Sequence, residues 1–156
     1  TLTGLANVPS FCERFEAELS RAQRYRHPFT VAYMDLDNFK TVNDLKGHEG
    51  GDEVLRQVAQ ALRKHTRQSD VVARLGGDEF VALFPETGSV PAREAVQKVL
   101  GQLLGAMRKG NWPVTFSIGA VTFECPMNTV RETLKLADDL MYAAKKDGKN
   151  SIRYAV

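Results

Sequence analysis

A double glycine between two short apolar runs restricts the fold of this chain more than any other feature. The runs cover Val71–Leu75 and Glu79–Phe84, and the pentapeptide Gly-Gly-Asp-Glu-Phe at 76–80 joins them. Paired glycines between apolar runs are typical of a β-hairpin, because glycine adopts the positive φ angles of tight turns without steric cost. The sequence therefore predicts a hairpin whose turn carries two adjacent acids, Asp78 and Glu79.

The rest of the chain alternates helical and strand patterns. The apolar stripe of the first predicted helix consists of Phe11, Phe15, Leu19 and Ala22. The predicted elements, in chain order, are a helix over 10–25, a buried strand over 29–36, a short helix from Asn38, a helix over 53–66, the two hairpin strands, a helix over 91–108, a strand over 114–123, a helix over 130–146 that Gly148 stops, and an edge strand over 151–154. This order is typical of an α/β fold, so we expect a central mixed β-sheet flanked by helices.

Three of these helices begin at residues with recognisable signals. Ser10 and Glu13 have the spacing of a capping box, and Asp37 is placed to be the N-cap of the short helix. Pro91 suits the first helical turn, where its missing N–H costs nothing.

Composition indicates one domain with few extreme features. The 156 residues include 21 bases and 19 acids, a balance that argues against nucleic acid as a partner. No apolar run approaches membrane-spanning length and no signal-peptide pattern is present, so we expect a cytoplasmic domain without membrane contact of its own, whether or not its parent protein is anchored in a membrane. Cys12 and Cys125 lack metal-ligand spacing and are interpreted as reduced structural thiols. The start at Thr1 favours a domain taken from a longer protein.

Two carboxylates are candidates for a metal site. Asp35 ends the buried strand and Asp78 lies on the hairpin turn, so both side chains meet at one edge of the sheet if the strands are neighbours. Magnesium is usually held by one or two carboxylates together with substrate phosphates. The alternative is that Asp35 only ends a strand and Asp78 only fills a turn.

The chain resembles GGDEF domains, the catalytic module of diguanylate cyclases, over nearly its whole length. The matching segments are Leu2-Thr3-Gly4-Leu5 with Asn7, Asp35–Lys40, Asn43-Asp44, Gly47-His48, Gly51-Asp52, the pentapeptide, Ser117-Ile118-Gly119, Ala137-Asp138, Tyr142, Ala144-Lys145 and Gly148. Val8 and Lys149 stand where the family commonly has arginine. Lysine keeps the charge but lacks the bidentate fork, so we expect weaker GTP binding at position 149.

The resemblance implies a reaction that joins two GTP molecules into cyclic di-GMP and releases two pyrophosphates, with one GTP on each protomer of a transient homodimer. It also implies Mg²⁺ or Mn²⁺ as cofactor. Asp35, Asp78 and the Leu36 carbonyl are the expected metal ligands, and Asp35, Asp78 and Glu79 the expected catalytic residues. Glu79 is either a further ligand or the base that takes the 3′-hydroxyl proton. For Asp37 we favour a structural role as a helix cap.

Further positions are expected to bind GTP. The start of a helix presents free N–H groups, so Phe39 and Lys40 are expected to bind the terminal phosphates. The remaining candidates are Gly76 and Gly77 at the turn, Lys145 and Lys149 for the triphosphate, and Asn43 with Asp52 for guanine. A carboxylate can accept both N1–H and the 2-amino group of guanine, whereas adenine presents an acceptor at N1. Without the resemblance, a role as solvated loop or cap residues is the favoured interpretation of Asn43 and Asp52. The two lysines are then equally well interpreted as favourable charges near a helix C-terminus.

Arg67 and Asp70 match an inhibitory product-binding site of the family. The Arg-x-x-Asp pattern precedes the pentapeptide by five residues. Arginine can pair bidentately with a guanine edge or a phosphate, and aspartate can accept from guanine. The alternative is an exposed arginine followed by an aspartate that leads a strand. Arg93 and Lys98 are both candidates for the second half of this site.

Three functions remain for test. The first is an active diguanylate cyclase, which the intact pentapeptide favours. The second is a catalytically silent module that binds GTP or cyclic di-GMP and is linked to a phosphodiesterase or sensor domain. The third is a polymerase-like nucleotidyltransferase, which the absence of a basic channel in the composition disfavours.

Overall fold

The computed structural model describes residues 2–124 and 129–156, so Cys125 lies outside the described residues. The helices are α1 (Val8–Tyr25), α2 (Phe39–Lys64), α3 (Ser89–Lys109) and α4 (Val130–Lys146). The strands are β1 (Phe29–Asp37), β2 (Val71–Gly76), β3 (Glu79–Pro85), β4 (Thr115–Phe123) and β5 (Ser151–Ala155). Cys12 is a free, half-buried thiol on α1.

The five strands form one mixed sheet in the order β2-β3-β1-β4-β5. β1 is central and pairs antiparallel with β3 and with β4, whereas β4 and β5 run parallel. All nine residues of β1 are buried, as the unbroken apolar run predicts. The mixed sheet, the β2–β3 hairpin and the edge position of β5 confirm the predicted fold class.

Helices cover both faces of the sheet and divide the core in two. On one face the apolar sides of α2 and α3 pack against residues that include Met34, Phe80 and Phe116. On the other face α1 and α4 pack against Val31, Tyr33 and their neighbours. Each fully buried large apolar side chain contributes about 2 kcal/mol relative to an exposed one. Because both faces are covered, the polar groups gather at the end of the sheet where β1 terminates.

The first helix begins differently from the prediction. Asn7 is the N-cap of α1, and its side chain accepts a hydrogen bond from Ser10 N over 2.8 Å. The predicted capping box of Ser10 and Glu13 is therefore wrong. Pro9 lies in the first turn, a position that proline favours, and this places the start of the helix before Ser10.

The two helices predicted on either side of Gly47 are both present and follow each other directly across a kink at this glycine. α2 runs from Phe39 to Lys64, and Gly47 interrupts it with φ 70° and ψ −177°. Its N-cap is Asn38 in the left-handed region, with φ 66° and no side-chain hydrogen bond to the helix. The short helix predicted from Asn38 is present up to the kink, but the predicted cap is wrong, because the N-cap is Asn38 and not Asp37. The kink turns the chain inside α2 and brings Asn43 next to Gly51.

Gly119 is where α4 approaches the sheet most closely. A Cβ atom at Gly119 would lie 2.3 Å from both Ala137 O and Met141 N. Both are backbone atoms of α4, so they cannot rotate away. The absence of a side chain at Gly119 thus sets the distance between β4 and the helix that carries Lys145.

Candidate active site

The C-terminal ends of β1 and α4 and the N-terminal end of β3 meet at one end of the sheet, which is called the reaction edge here. Asp35 and Glu79 are cross-strand partners in the β1–β3 register, so their side chains lie on the same face. Leu36 N donates to Asp78 O over 3.1 Å, which fixes the hairpin turn against the end of β1. The structure therefore brings Asp35, Asp78 and Glu79 together, as the sequence predicted.

Asp35 is a buried carboxylate in a negative environment. The residue is 9 % exposed, and its Oδ1 atom has no hydrogen-bond partner. Burial raises the pKa of Asp35 to about 6; the hydrogen bond from Lys145 opposes this shift, and the nearby Asp78 carboxylate adds to it. Electrostatic interaction of this kind requires that the two carboxylates be close neighbours.

Lys145 is the cation nearest to these carboxylates in the described ranges. Its Nζ contacts Asp35 Oδ2 and lies 3.7 Å from Asp37 Oδ1. Burial alone lowers the pKa of Lys145, but the hydrogen bond and charge of Asp35, with the neighbouring carboxylates, shift it above its ordinary value. Lys145 is thus charged and lies directly beside the expected metal ligand.

Tyr33 and Asp138 belong to this cluster, although neither is predicted from the sequence to be a site residue. The Tyr33 hydroxyl donates to Glu79 Oε1 over 3.3 Å. Burial, then the charges of Asp35 and Asp138, raise the pKa of Glu79. Burial and then the Glu79 charge raise the pKa of Tyr33. Strand alternation was the available signal for Tyr33, because a residue two positions before Asp35 lies on the same face.

The donor set fits a magnesium-type cation that is shared with a phosphate ligand. Among residues 2–124 and 129–156, no three His, Cys, Asp or Glu side chains form a complete metal site by themselves. Magnesium needs only one or two protein carboxylates, since waters and phosphates complete its shell. Asp35 and Asp78 supply such a pair, and the unpartnered Oδ1 of Asp35 is a buried acceptor without a donor.

Asp37 is a structural residue, but it does not cap a helix. Its side chain is fully buried and accepts hydrogen bonds from Thr115 Oγ1 (2.8 Å), Ser117 Oγ (2.7 Å) and Asn150 N (2.9 Å). These donors come from β4 and from the turn after α4. Asp37 therefore joins three chain segments beside Asp35, and Lys149 lies in the turn that it holds.

The expected phosphate-binding amides open onto the same edge of the sheet. Phe39 and Lys40 are the first two residues of α2 and directly follow the end of β1. Gly76 and Gly77 have φ angles of 147° and 50°, and added Cβ atoms would meet no atom within 4 Å. Arg74 Nε donates to Gly77 O over 2.9 Å and steadies the turn. The hairpin turn thus offers open backbone to a ligand.

Asn43 and Asp52 lie on opposite sides of the kink in α2. Both are half-buried. Asn43 Oδ1 would be 2.1 Å from a Cβ atom at Gly51, so the Asn43 side chain lies directly over the Gly51 backbone. The chain therefore places Asn43 next to the residue that precedes Asp52, and the kink at Gly47 is what allows it.

Arg67 and Asp70 are paired with each other on another part of the surface. Asp70 Oδ1 accepts from Arg67 Nη2 (3.1 Å) and Nε (3.3 Å), and Arg67 Nη2 also donates to Thr87 Oγ1 over 2.9 Å. Arg67 and Asp70 line a cavity of about 510 Å³ together with Lys98. Arg93 lies elsewhere, with its guanidinium 4.2 Å from the centre of the Tyr154 ring. The cavity favours Lys98 over Arg93 as the neighbour of this pair.

No helix within the described ranges is long and apolar enough to cross a membrane.

Comparisons with known proteins find relatives over nearly the whole chain. The family model described as "Diguanylate cyclase, GGDEF domain" matches residues 1–151. Diguanylate cyclase DgcP of Pseudomonas aeruginosa is 35% identical over 158 residues, which cover 99% of this chain and 23% of that protein. The chain thus spans about a quarter to a third of the length of the first curated relatives that it matches.

Two solved structures have the same fold. The GGDEF domain of DgcB from Caulobacter crescentus, in complex with c-di-GMP, is 27% identical with a TM-score of 0.89, and the alignment covers 99% of this chain and 93% of that one. The GGDEF domain of PA1120 from Pseudomonas aeruginosa is 33% identical with a TM-score of 0.87, and the coverage is 100% and 93%.

Proposed function

The chain belongs to the diguanylate cyclase GGDEF family, and on that basis we propose that it condenses two GTP molecules into cyclic di-GMP and two pyrophosphates. Each protomer of a transient homodimer holds one GTP. The 3′-oxygen of each GTP forms a bond to the α-phosphorus of the other, the bond to pyrophosphate breaks, and the hydroxyl proton passes to a base. The observation that carries the proposal is the convergence of Asp35 and Asp78 at one edge of the sheet.

The acidic residues at this edge are proposed to bind the metal and to take up the proton. GGDEF diguanylate cyclases are generally metal-dependent, and we propose Mg²⁺ or Mn²⁺, held by Asp35, Asp78 and the Leu36 carbonyl. When bound, such a cation neutralises charge on the reacting phosphates. Glu79 is a further ligand or accepts the proton of the 3′-hydroxyl.

Charged and backbone groups of the chain hold the triphosphate. The amides of Phe39 and Lys40 at the start of α2 and the open turn at Gly76 and Gly77 are backbone donors to phosphate. Lys145 lies beside Asp35 and reaches the same phosphates. Lys149 adds a second positive charge from the turn after α4.

Turnover tests the proposal directly. The chain is incubated at high protein concentration with GTP and Mg²⁺, and the nucleotides are separated by chromatography. We expect cyclic di-GMP and pyrophosphate from the wild type and neither from Asp78→Ala. Asp139→Ala is the matched control, because Asp139 is an exposed aspartate paired with Lys135 away from the site. Bound GTP without product in the wild type would instead favour the silent regulatory module.

Residues at the kink of α2 are assigned the selection of guanine over other nucleobases. We propose that Asn43 and Asp52 contact guanine, and we expect Asp52→Ser to lower the preference for GTP over ATP by about a hundredfold, because the carboxylate no longer rejects adenine N1. The measurement is the ratio of kcat/KM for the two nucleotides, with Glu53→Gln as the neighbouring control. An unchanged ratio in Asp52→Ser would remove this assignment.

The cavity beside Arg67 is proposed as the site of product inhibition. Cyclic di-GMP carries two phosphates and two guanine edges, which an arginine and an aspartate can bind. In the structure the Arg67 guanidinium is engaged by Asp70 and Thr87, so the product has to replace those contacts. Lys98 provides a further positive charge in the same cavity.

We expect Arg67→Ala to weaken cyclic di-GMP binding at least about tenfold, the loss typical of a hydrogen bond to a charged group. Isothermal titration calorimetry measures the affinity. Arg56→Ala serves as the control, since Arg56 is exposed on α2 and, among the residues that the structure describes, forms an ion pair with Glu53 alone. Equal affinities in the wild type and Arg67→Ala would show that the product binds elsewhere.

The cellular location of this domain and the domains linked to it are the last part of the proposal. We propose that it works in the cytoplasm and that a covalently linked sensor or phosphodiesterase domain sets how often two copies meet. A domain cut from its partner would then turn over slowly, because encounter depends on concentration.

A further inference from the structure

Tyr33 and Glu79 are diagonal neighbours on one face of the sheet. The register pairs Asp35 with Glu79 and Tyr33 with Val81, so all four side chains share a face. Cross-strand residues in diagonal positions are about 7–8 Å apart, within reach of an aromatic side chain. The Tyr33 hydroxyl spans this separation and donates to Glu79 Oε1 over 3.3 Å.

The position of the Tyr33 hydroxyl is fixed by the core. Tyr33 is only 8 % exposed and belongs to the apolar cluster under α1 and α4, with Val31 and Val81 beside it. A ring packed in this way cannot change rotamer without opening a cavity. A phenol is protonated at neutral pH, so the hydroxyl is a hydrogen-bond donor at a set place.

Glu79 is a side chain that requires such a restraint. The negative charges of Asp35 and Asp138 act on its carboxylate and favour rotation toward solvent. Within residues 2–124 and 129–156, Tyr33 provides the one side-chain hydrogen bond to Glu79. That bond engages Oε1, whereas Oε2 accepts no hydrogen bond from any other described residue.

We propose that Tyr33 is a positioning residue that holds Glu79 in its working rotamer, with Oε1 bound to the phenol and Oε2 free for the metal or the 3′-hydroxyl. The inference rests on the proposed function, in which Glu79 is a ligand or a base. It assigns a task to a buried core residue that does not itself touch the substrate. If Tyr33 only filled space, phenylalanine would replace it without loss.

Steady-state kinetics of Tyr33→Phe provide the first test. The variant keeps the ring and removes one oxygen, so we expect an unchanged melting temperature, a KM for GTP within twofold of wild type, and a kcat about tenfold lower. Tyr154→Phe, on β5, is the matched control and should retain wild-type kcat. A wild-type kcat in Tyr33→Phe, or a loss confined to KM, would overturn the proposal.

A spectroscopic test reads the contact without turnover. The chain has four tyrosines, and labelling each ring at Cζ with ¹³C gives one signal per hydroxyl-bearing carbon. We expect Glu79→Gln to shift one signal, the one that is missing in Tyr33→Phe, and to leave the other three in place. If that signal does not move, the inference is wrong whatever the activity. If it moves while wild-type protein makes no cyclic di-GMP, the proposed function fails and the pairing stands.

Discussion

Asp35→Asn is expected to abolish cyclic di-GMP synthesis and at the same time to stabilise the metal-free domain. The loss of activity should be about a thousandfold, because a metal ligand contributes several kcal/mol of charge stabilisation in the transition state. Asparagine has the same shape as aspartate but a neutral head group. We therefore expect Asp35→Asn to combine loss of activity with a higher melting temperature than wild type.

The gain in stability follows from the pKa of Asp35. Its folded-state pKa of about 6 lies above the ordinary value of 3.8. The folded state therefore binds the proton more tightly than the unfolded state, and the charged carboxylate costs stability above pH 6. After discounting for solvent screening, we expect Asp35→Asn to gain about 1 kcal/mol at pH 7, or roughly 2–4 °C in melting temperature.

The pH dependence of this difference is its own control. As the pH falls from about 6 toward 4, the wild-type carboxylate becomes protonated in the folded state, and the difference in melting temperature between variant and wild type should shrink toward zero. Calorimetry in the presence of a chelator measures it. Asp139→Asn, at an exposed position, should show neither effect. A variant that melts below wild type at pH 7 would contradict the burial argument.

Gly119→Ala is expected to cause the largest loss of stability of any single methyl group added to the sheet. The new Cβ atom would lie 2.3 Å from two backbone atoms of α4, so the helix as a whole has to move outward. Overpacking of this kind costs about 3 kcal/mol or more, which corresponds to a fall of roughly 6–12 °C in melting temperature. Because α4 carries Lys145, GTP affinity should fall as well.

Gly101→Ala is the matched control for this experiment. Gly101 lies inside α3, and a Cβ atom there would meet nothing within 4 Å. Alanine favours the helix over glycine by about 0.5–1 kcal/mol, so this variant should melt higher than wild type. If Gly119→Ala and Gly101→Ala had equal melting temperatures, the close approach of α4 to β4 would not exist in solution.

Most of the fold could be predicted because its signals are periodic. All nine residues of β1 are buried, and the largely apolar run from Phe29 to Met34 before the two acids indicates this from the sequence; the helix predicted over 130–146 matches α4 at both ends. The errors concern the ends of helices and the junctions between them, where a single residue decides where a helix begins. Gly47 could end a helix or kink it, and in the structure it does the latter, which brings Asn43 next to Gly51.

The site residues that could be predicted are those whose own side chains are suited to bind a metal or a substrate. Two acids at strand ends indicate a metal site, and their convergence follows from strand pairing alone. Tyr33 and Asp37 act through other residues, so their roles depend on the register of β3 and on the place of the turn before β5. A buried tyrosine inside an apolar run is indistinguishable from core until that register is known.

The buried carboxylate of Asp37 limits where this domain tolerates insertions. It accepts a hydrogen bond from the Asn150 amide, and Lys149 and Asn150 adopt φ angles of 64° and 45°, so an inserted residue would displace this contact. A reporter or linker placed there would detach a basic side chain from the reaction edge. Domain fusions that aim to preserve activity should therefore leave residues 147–150 intact.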